Sequence, residues 1–210
     1  MTISNMPLSH RLRRETKEAH TTAERSGIMR DLLRGTMTQP DYVRLLDNLA
    51  VLYGALETEL DAHSGSVALA LVNWNALRRL PTLQQDIAAL ASTPHHADIV
   101  PATREYAEHL HALGTQSPEL LFAHAYLRYL GDLYGGQIIK RILVETFGVA
   151  GKAGVSFYEF DDIGNLSEFK SHFRNAIDRI TPEMASHDLM VAEALRGYEL
   201  HAQIFRELEV

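Results

Sequence analysis

Helix punctuation recurs along almost the whole chain, and nothing else constrains its fold as much. Thr38-Gln-Pro-Asp41 is a capping-box-like start with an early proline. From it Tyr42, Leu45, Leu46, Leu49, Leu52, Tyr53, Leu56 and Leu60 keep the helical period, ending near His63–Gly65. Ser9 is placed to cap an opening helix whose Leu12, Thr16, His20 and Ala23 or Glu24 fall on one stripe. Gly27 and Gly35 break the short turns that follow. Short helical pieces are expected over 66–80, stopped by Pro81, then a helix from Thr82 to Ala91 and a loop at Pro94-His95-His96. Pro101 to Leu113 reads as a helix closed by Gly114, and Ser117-Pro118-Glu119 starts another that runs toward Phe147-Gly148. Ser167 is expected to cap a helix to about Ile180, and Thr181-Pro182-Glu183 to start the last one, to Glu207. Only VSFYEF, within the irregular stretch 151–164, reads as extended. The expected class is therefore all-α: one domain over 1–210, with 1–8 flexible and the helices of the two chain ends brought together.

Composition narrows the function classes. The 210 residues suffice for one well-buried core, and 46% hydrophobic with 22% charged residues is ordinary for a globular protein. A net charge of −7 argues against bulk nucleic-acid binding. No apolar run approaches the ~20 residues of a membrane span, and MTISNMPLSHRLRRE lacks the apolar core of a secretory signal. The absence of cysteine removes disulfides and thiolate metal sites and fits a cytoplasmic location.

Ala123 to Ile142, AHAYLRYLGDLYGGQIIKRI, carries three glycines in the middle of a helical pattern. Each costs roughly 1 kcal/mol against alanine. Gly131 and Gly135 are four apart and share a face. Leu127, Arg128, Gly131, Tyr134, Gly135 and Ile138 read as one stripe, bare of side chains over about a turn, with Asp132 to one side. Such a face accepts either something flat against the backbone or a closely packed helix. Two other groupings bear chemistry. His20 and Glu24 are neighbours on the opening helix, as an iron ligand with an orienting carboxylate or as a surface pair. Lys170 and Arg174 are four apart, and Arg11, Arg13, Arg14 and Lys17 crowd the first helix; they suit ligand carboxylates or a solvated face. A single Glu108-x-x-His111, with no second such motif, argues against a di-iron carboxylate site.

Glu15-Thr-Lys-Glu-Ala-His20-Thr-Thr-Ala-Glu24, followed by Ala123-His-Ala-Tyr-Leu-Arg-Tyr-Leu-Gly-Asp-Leu-Tyr-Gly-Gly-Gln137, resembles the haem oxygenases of the biliverdin-forming family. Weaker similarity runs through Phe169–Arg174 to Gln203-Ile-Phe205 and so covers nearly the whole chain. The resemblance implies an all-α fold with haem between the first helix and a kinked, glycine-containing distal helix. It implies His20 as axial ligand of the haem iron and Glu24 as its neighbour. Gly131 and Gly135 would lie against the haem, and Asp132 would organise distal water. Tyr126 and Arg128 would sit near the haem edge and its hydrogen bonds. Lys170 and Arg174 would hold the propionates, with Arg13 in a lysine's place, and Tyr134, Tyr198 and Phe205 would line the pocket. Tyr134, where a small serine is common, Leu127 and His201 depart from the pattern. They bear on haem orientation and thus on which bridge is cut.

The implied reaction is oxidative opening of haem b at a meso carbon, the α position by expectation, to biliverdin, carbon monoxide and ferrous iron. It uses dioxygen and electrons from a ferredoxin, flavodoxin or reductase. A soluble bacterial form without the membrane anchor of the animal enzymes is implied. The competing reading is a haem-trafficking protein on the same scaffold, without turnover.

Overall fold

Helices α1 (Leu8–Glu15) and α2 (Lys17–Glu24) are separated by a single residue, Thr16. At Thr16 the side chain bonds back to the Leu12 carbonyl (2.7 Å), while its own carbonyl still accepts from His20 N–H (2.9 Å). Back-bonding of this kind bends a helix without ending it. The computed structural model describes residues 6–149 and 151–209. Of the stretch expected to be flexible, 1–5 lie outside the described residues, and Leu8 is already helical and buried. Ser9 does not cap α1: it lies inside the helix, and its N–H and hydroxyl both donate to Asp178, each at 2.9 Å. The first helix is thereby tied to the far end of the chain.

Helix α3 (Gly27–Arg34) closes on Gly35, whose φ of +68° is the left-handed cap geometry that glycine adopts without strain. α4 (Gln39–Ala62) begins as expected, with Thr38 accepting from Asp41 N–H. It runs through the core, and its Tyr42, Leu46, Leu52 and Tyr53 are fully enclosed. Short 3₁₀ turns at Leu69–Leu71 and Trp74–Leu77 lead to α5 (Leu80–Leu90). α6 (Pro101–Gln116) continues past Gly114, the expected stop. A methyl group there would collide with the Glu59 side chain, so the glycine serves close packing of α6 on α4. α7 (Leu121–Ala125) follows a 3₁₀ turn, and a π-helical turn at Tyr126–Leu130 joins it to α8 (Gly131–Phe147).

Three boundaries fall elsewhere than the sequence indicates. VSFYEF is not extended: Ser156–Tyr158 and Asp161–Ile163 are 3₁₀ turns, and the described residues contain no strand. Buried Asp86 accepts from the N–H groups of Ser156 and Phe157 and from the Ser156 hydroxyl (2.6–2.9 Å), curling the segment around one carboxylate. α9 (Leu166–Asp178) is capped by Asn165, not Ser167, whose N–H donates to the Asn165 side chain. α10 (His187–Glu207) starts six residues after Thr181, with Ser186 as its cap.

α10 is the spine of the molecule, packing against α1, α2, α3, α6, α7 and the π turn. It thus holds the opening helices on one side and the approach to α8 on the other, which brings the chain ends together as expected. None of the described helices is long and apolar enough to cross a membrane.

Candidate functional site

The π turn sets what α8 presents. It inserts one residue into the helical count, and one residue is about 100° of rotation. The stripe read from a uniform helix is therefore cut in two. Leu127 and Arg128 turn inward, Leu127 to 5% exposure. Beyond the turn Gly131, Tyr134, Gly135 and Ile138 form an open face, with Tyr134 50% and Ile138 59% exposed. A Cβ built at Gly131 or Gly135 meets no atom within 4 Å. This excludes the tight helix crossing that the glycines alone would have allowed, since a crossing helix would lie against them. Gly136 differs: a Cβ there would lie 3.1 Å from the ring of Tyr158. One glycine serves the fold, and two leave backbone bare.

Asp132 points the other way, into the protein. Its Oδ2 accepts from the Tyr53 hydroxyl and its Oδ1 from Arg128 Nη2 at 3.1 Å. Arg128 also donates through Nε to the Tyr53 oxygen and through Nη1 to His201 Nε2, both at 3.1 Å. The His201 Nδ1–H donates to the Gly197 carbonyl at 2.8 Å, which fixes the tautomer and leaves Nε2 as the acceptor Arg128 needs. Burial, then the Arg128 charge, hold the His201 pKa well below its ordinary value, so the ring is neutral. Burial raises the Asp132 pKa against the opposing pull of Arg128 and the Tyr53 hydrogen bond. Asp132 also lines a cavity of about 160 Å³ between α8 and the segment 159–166, with Gln137, Glu159 and Asp161 among its polar walls. That is room for about five waters next to a buried acid.

On α2 the His20 side chain is 45% exposed, with Nδ1 3.5 Å from Glu24 Oε2. Its ring meets Tyr198 of α10 edge-on at 5.6 Å. The Tyr126 and Tyr198 hydroxyls both lie beside that of Thr16, which links the start of the π turn, α10 and the bend before His20. Arg13 is exposed on α1, close enough to act on Tyr126. Lys170 and Arg174 of α9 stand over Tyr134, with Lys170 Nζ 4.2 Å from the ring centroid and the Arg174 guanidinium 6.0 Å. Tyr134 therefore leans under two cations at the rim. Burial, then Arg174, lower the Lys170 pKa. Phe205 is buried against His201, at 5.9 Å between rings, with its carbonyl packed on Gly27.

The structure thus joins Arg128 and Asp132, through Tyr53 and His201, in one buried network beside the open glycine face, and groups Tyr126 with Tyr198, His20 and Glu24. Two members of the first network were not singled out from sequence. Tyr53 reads only as one more apolar residue of the α4 stripe, and His201 only as a departure. A phenol amid leucines on the most buried helix was the available signal, since a buried hydroxyl requires a partner. The chemistry of these residues, bare glycine backbone, an exposed imidazole and a pair of cations over Tyr134, suits a flat, anionic, iron-bearing ligand.

Comparison with known proteins agrees. Heme oxygenase 1 of Nostoc sp. is 36% identical over 204 residues, covering 96% of this chain and 86% of the relative. The structure of heme oxygenase from Leptospira interrogans superposes with a TM-score of 0.91 at 31% identity, over 96% of this chain and 100% of the other. Heme oxygenase-1 of Synechocystis sp., solved in complex with heme, also gives 0.91, at 32% identity over 97% and 93%. The family model described as Heme oxygenase matches residues 6–207. The chain belongs to the haem oxygenase family.

Proposed function

We propose that this protein binds haem between α2 and the bare face of α8 and opens it at a meso carbon, the α bridge, releasing biliverdin, carbon monoxide and ferrous iron. The observation that carries the reading is the pairing of two glycines with open space beside them and an acid, Asp132, locked one residue away. A carrier has use for the glycines but little for the acid.

Bound haem supplies the iron that activates dioxygen and the ring carbon that is oxidised. His20 would hold its iron through the imidazole. Its carboxylate neighbour Glu24 is half-exposed at 3.5 Å rather than in a short buried bond, so it would add little to the electron density the imidazole donates. Lys170, Arg174 and Arg13 neutralise the propionates and set the in-plane orientation. Tyr134, packed under Lys170, supports that rim and does not narrow the distal face. Gly131 and Gly135 let backbone approach the ligand closely. Asp132 stays off the reacting atoms because Tyr53 and Arg128 occupy both its oxygens. It acts through water in the adjoining cavity, holding protons in reach of the open face. Arg128 is in turn steadied by His201. Tyr126 and Tyr198 wall the ligand near His20, with Phe205 behind them. Electrons come from a ferredoxin, flavodoxin or reductase docking at the cationic rim.

The test is direct. Haemin added to the protein should give a Soret band, and an electron donor in air should remove it and leave a green product whose chromatography identifies the bridge cut. A stable Soret band under reduction in air would make the protein a carrier, and no Soret band would remove haem from the reading.

A further inference from the structure

The far side of α10 holds a group of side chains that the proposed haem chemistry does not use. His109 of α6, His124 of α7 and Glu193 of α10 converge, with one ligating atom from each within 4.8 Å of the others. Both imidazole Nε2 atoms aim at the same carboxylate oxygen, Glu193 Oε1: His124 at 3.0 Å, His109 closer still. The two rings meet edge-on, their centroids 5.5 Å apart. We propose that these three residues form a binding site for a divalent transition metal of the zinc class, pinning α6, α7 and α10 together.

The donor set is the first argument. Two neutral imidazoles and a carboxylate are ligands that zinc takes in three-residue sites, with a solvent molecule as the fourth ligand. Ligand atoms around a tetrahedral zinc lie about 3.3 Å apart, given bonds near 2.0–2.1 Å. To reach that spacing the Glu193 oxygen has to move off His124 Nε2 by a few tenths of an ångström and off His109 Nε2, the closer of the two, by nearly an ångström, a shift within the reach of a rotation of the glutamate side chain. The second argument is orientation behind the ligands. Tyr106 hydroxyl sits 2.7 Å from His124 Nδ1, the partner a metal-bound imidazole requires on its other nitrogen. Gly197, one turn after Glu193, makes the arrangement possible: a Cβ there would stand 3.1 Å from both His124 Nδ1 and the Tyr106 oxygen. The third argument is access. His124 is enclosed, but the His109 and Glu193 side chains keep 15% and 14% exposure, so an ion and its water have a way in. The Arg196 charge nearby works against a cation at His124, and Glu193 works for it. The site shares no residue with the haem crevice.

The experiment is zinc titration of the full-length chain by calorimetry, with a thermal melt in parallel. One zinc per chain is expected to bind, and to raise the melting temperature. His109→Asn and Glu193→Gln should each weaken binding at least about tenfold, since each removes one of three protein ligands. His109 is near the surface, and Glu193→Gln keeps shape, so both variants should retain the helical circular dichroism of the parent. His20→Ala should leave zinc binding unchanged. Binding no tighter than weak background, survival of the zinc site in both triad variants, or its loss in His20→Ala would overturn the proposal.

Discussion

A single carboxylate carries most of the chemical load. Asp132 is fixed by a phenol and a guanidinium, so replacing it by asparagine keeps size and most packing but removes the charge that orders water. Asp132→Asn should still bind haemin and show a Soret band, while biliverdin formation falls by at least about 100-fold, the lower end of what a positioned acid or base contributes. Unchanged biliverdin yield by chromatography would remove the acid from the reaction. Its support, His201, makes a separate prediction about pH. The folded pKa of this buried ring lies well below the ordinary 6.5, because burial and Arg128 disfavour the cation. Below pH 6.5 the unfolded chain therefore takes up a proton that the folded chain refuses, and stability falls as pH falls, at up to about 1.4 kcal/mol per pH unit. His201→Asn can still accept from Arg128 and does not titrate. Denaturant midpoints measured from pH 7 to 5 should fall less steeply in the variant than in the parent. Equal slopes would mean that the ring is not held neutral.

At the scale of elements, the glycines of α8 and α10 have opposite jobs. Alanine at Gly131 or Gly135 puts its Cβ where no atom lies within 4 Å, so the melting temperature should not fall, while haemin affinity drops about 10- to 100-fold, the cost of forcing 1–3 kcal/mol of overlap on a ligand. Alanine at Gly197 meets Leu127, His124 and Tyr106 at once and should cost about 1–3 kcal/mol of stability with or without haemin. Denaturation and haemin titration of the same variants separate the two cases. Helix identity was legible in the chain because Thr38, the prolines and the apolar period all act within a few residues. The boundaries that moved depend on distant partners. Glu59 lets α6 run past Gly114, and Asp86 curls VSFYEF. The stripe containing Leu127 and Arg128 failed for a related reason: a π turn has no short-range signature, yet it rotates everything that follows. Spacing alone left His20 and Asp132 open between ligand chemistry and a surface pair or exposed carboxylate; their roles were assigned only through the resemblance of the two motifs to the family. Tyr53 was not readable, since its hydroxyl is explained only by the carboxylate 79 positions away.

Across the whole molecule, the two walls of the proposed haem site come from opposite ends of the first two-thirds of the chain and are held in place largely by other elements. α10 packs on α2 and on the π turn, Ser9 bonds to Asp178, and Arg11 reaches Asp188 at 2.8 Å. A ligand bridging α2 and α8 with its edge under α9 therefore ties together elements that the polypeptide joins indirectly. Ligand binding to the native state alone adds about 2.7 kcal/mol at a free concentration 100 times Kd. For a domain of this size that raises the melting temperature by about 5–10 °C. The gain depends on the rim, because Lys170 and Arg174 are the charges placed to meet propionates, on a protein whose net charge is −7. Reversing both, in Lys170→Glu with Arg174→Glu, leaves the apo melt close to the parent, since neither side chain forms an ion pair within the described residues. The haemin-induced rise should shrink to a degree or two in that variant and persist in full when Lys152, exposed on the loop after α8, is reversed instead. A full rise in the double variant would place the ligand's anionic edge somewhere other than beneath α9.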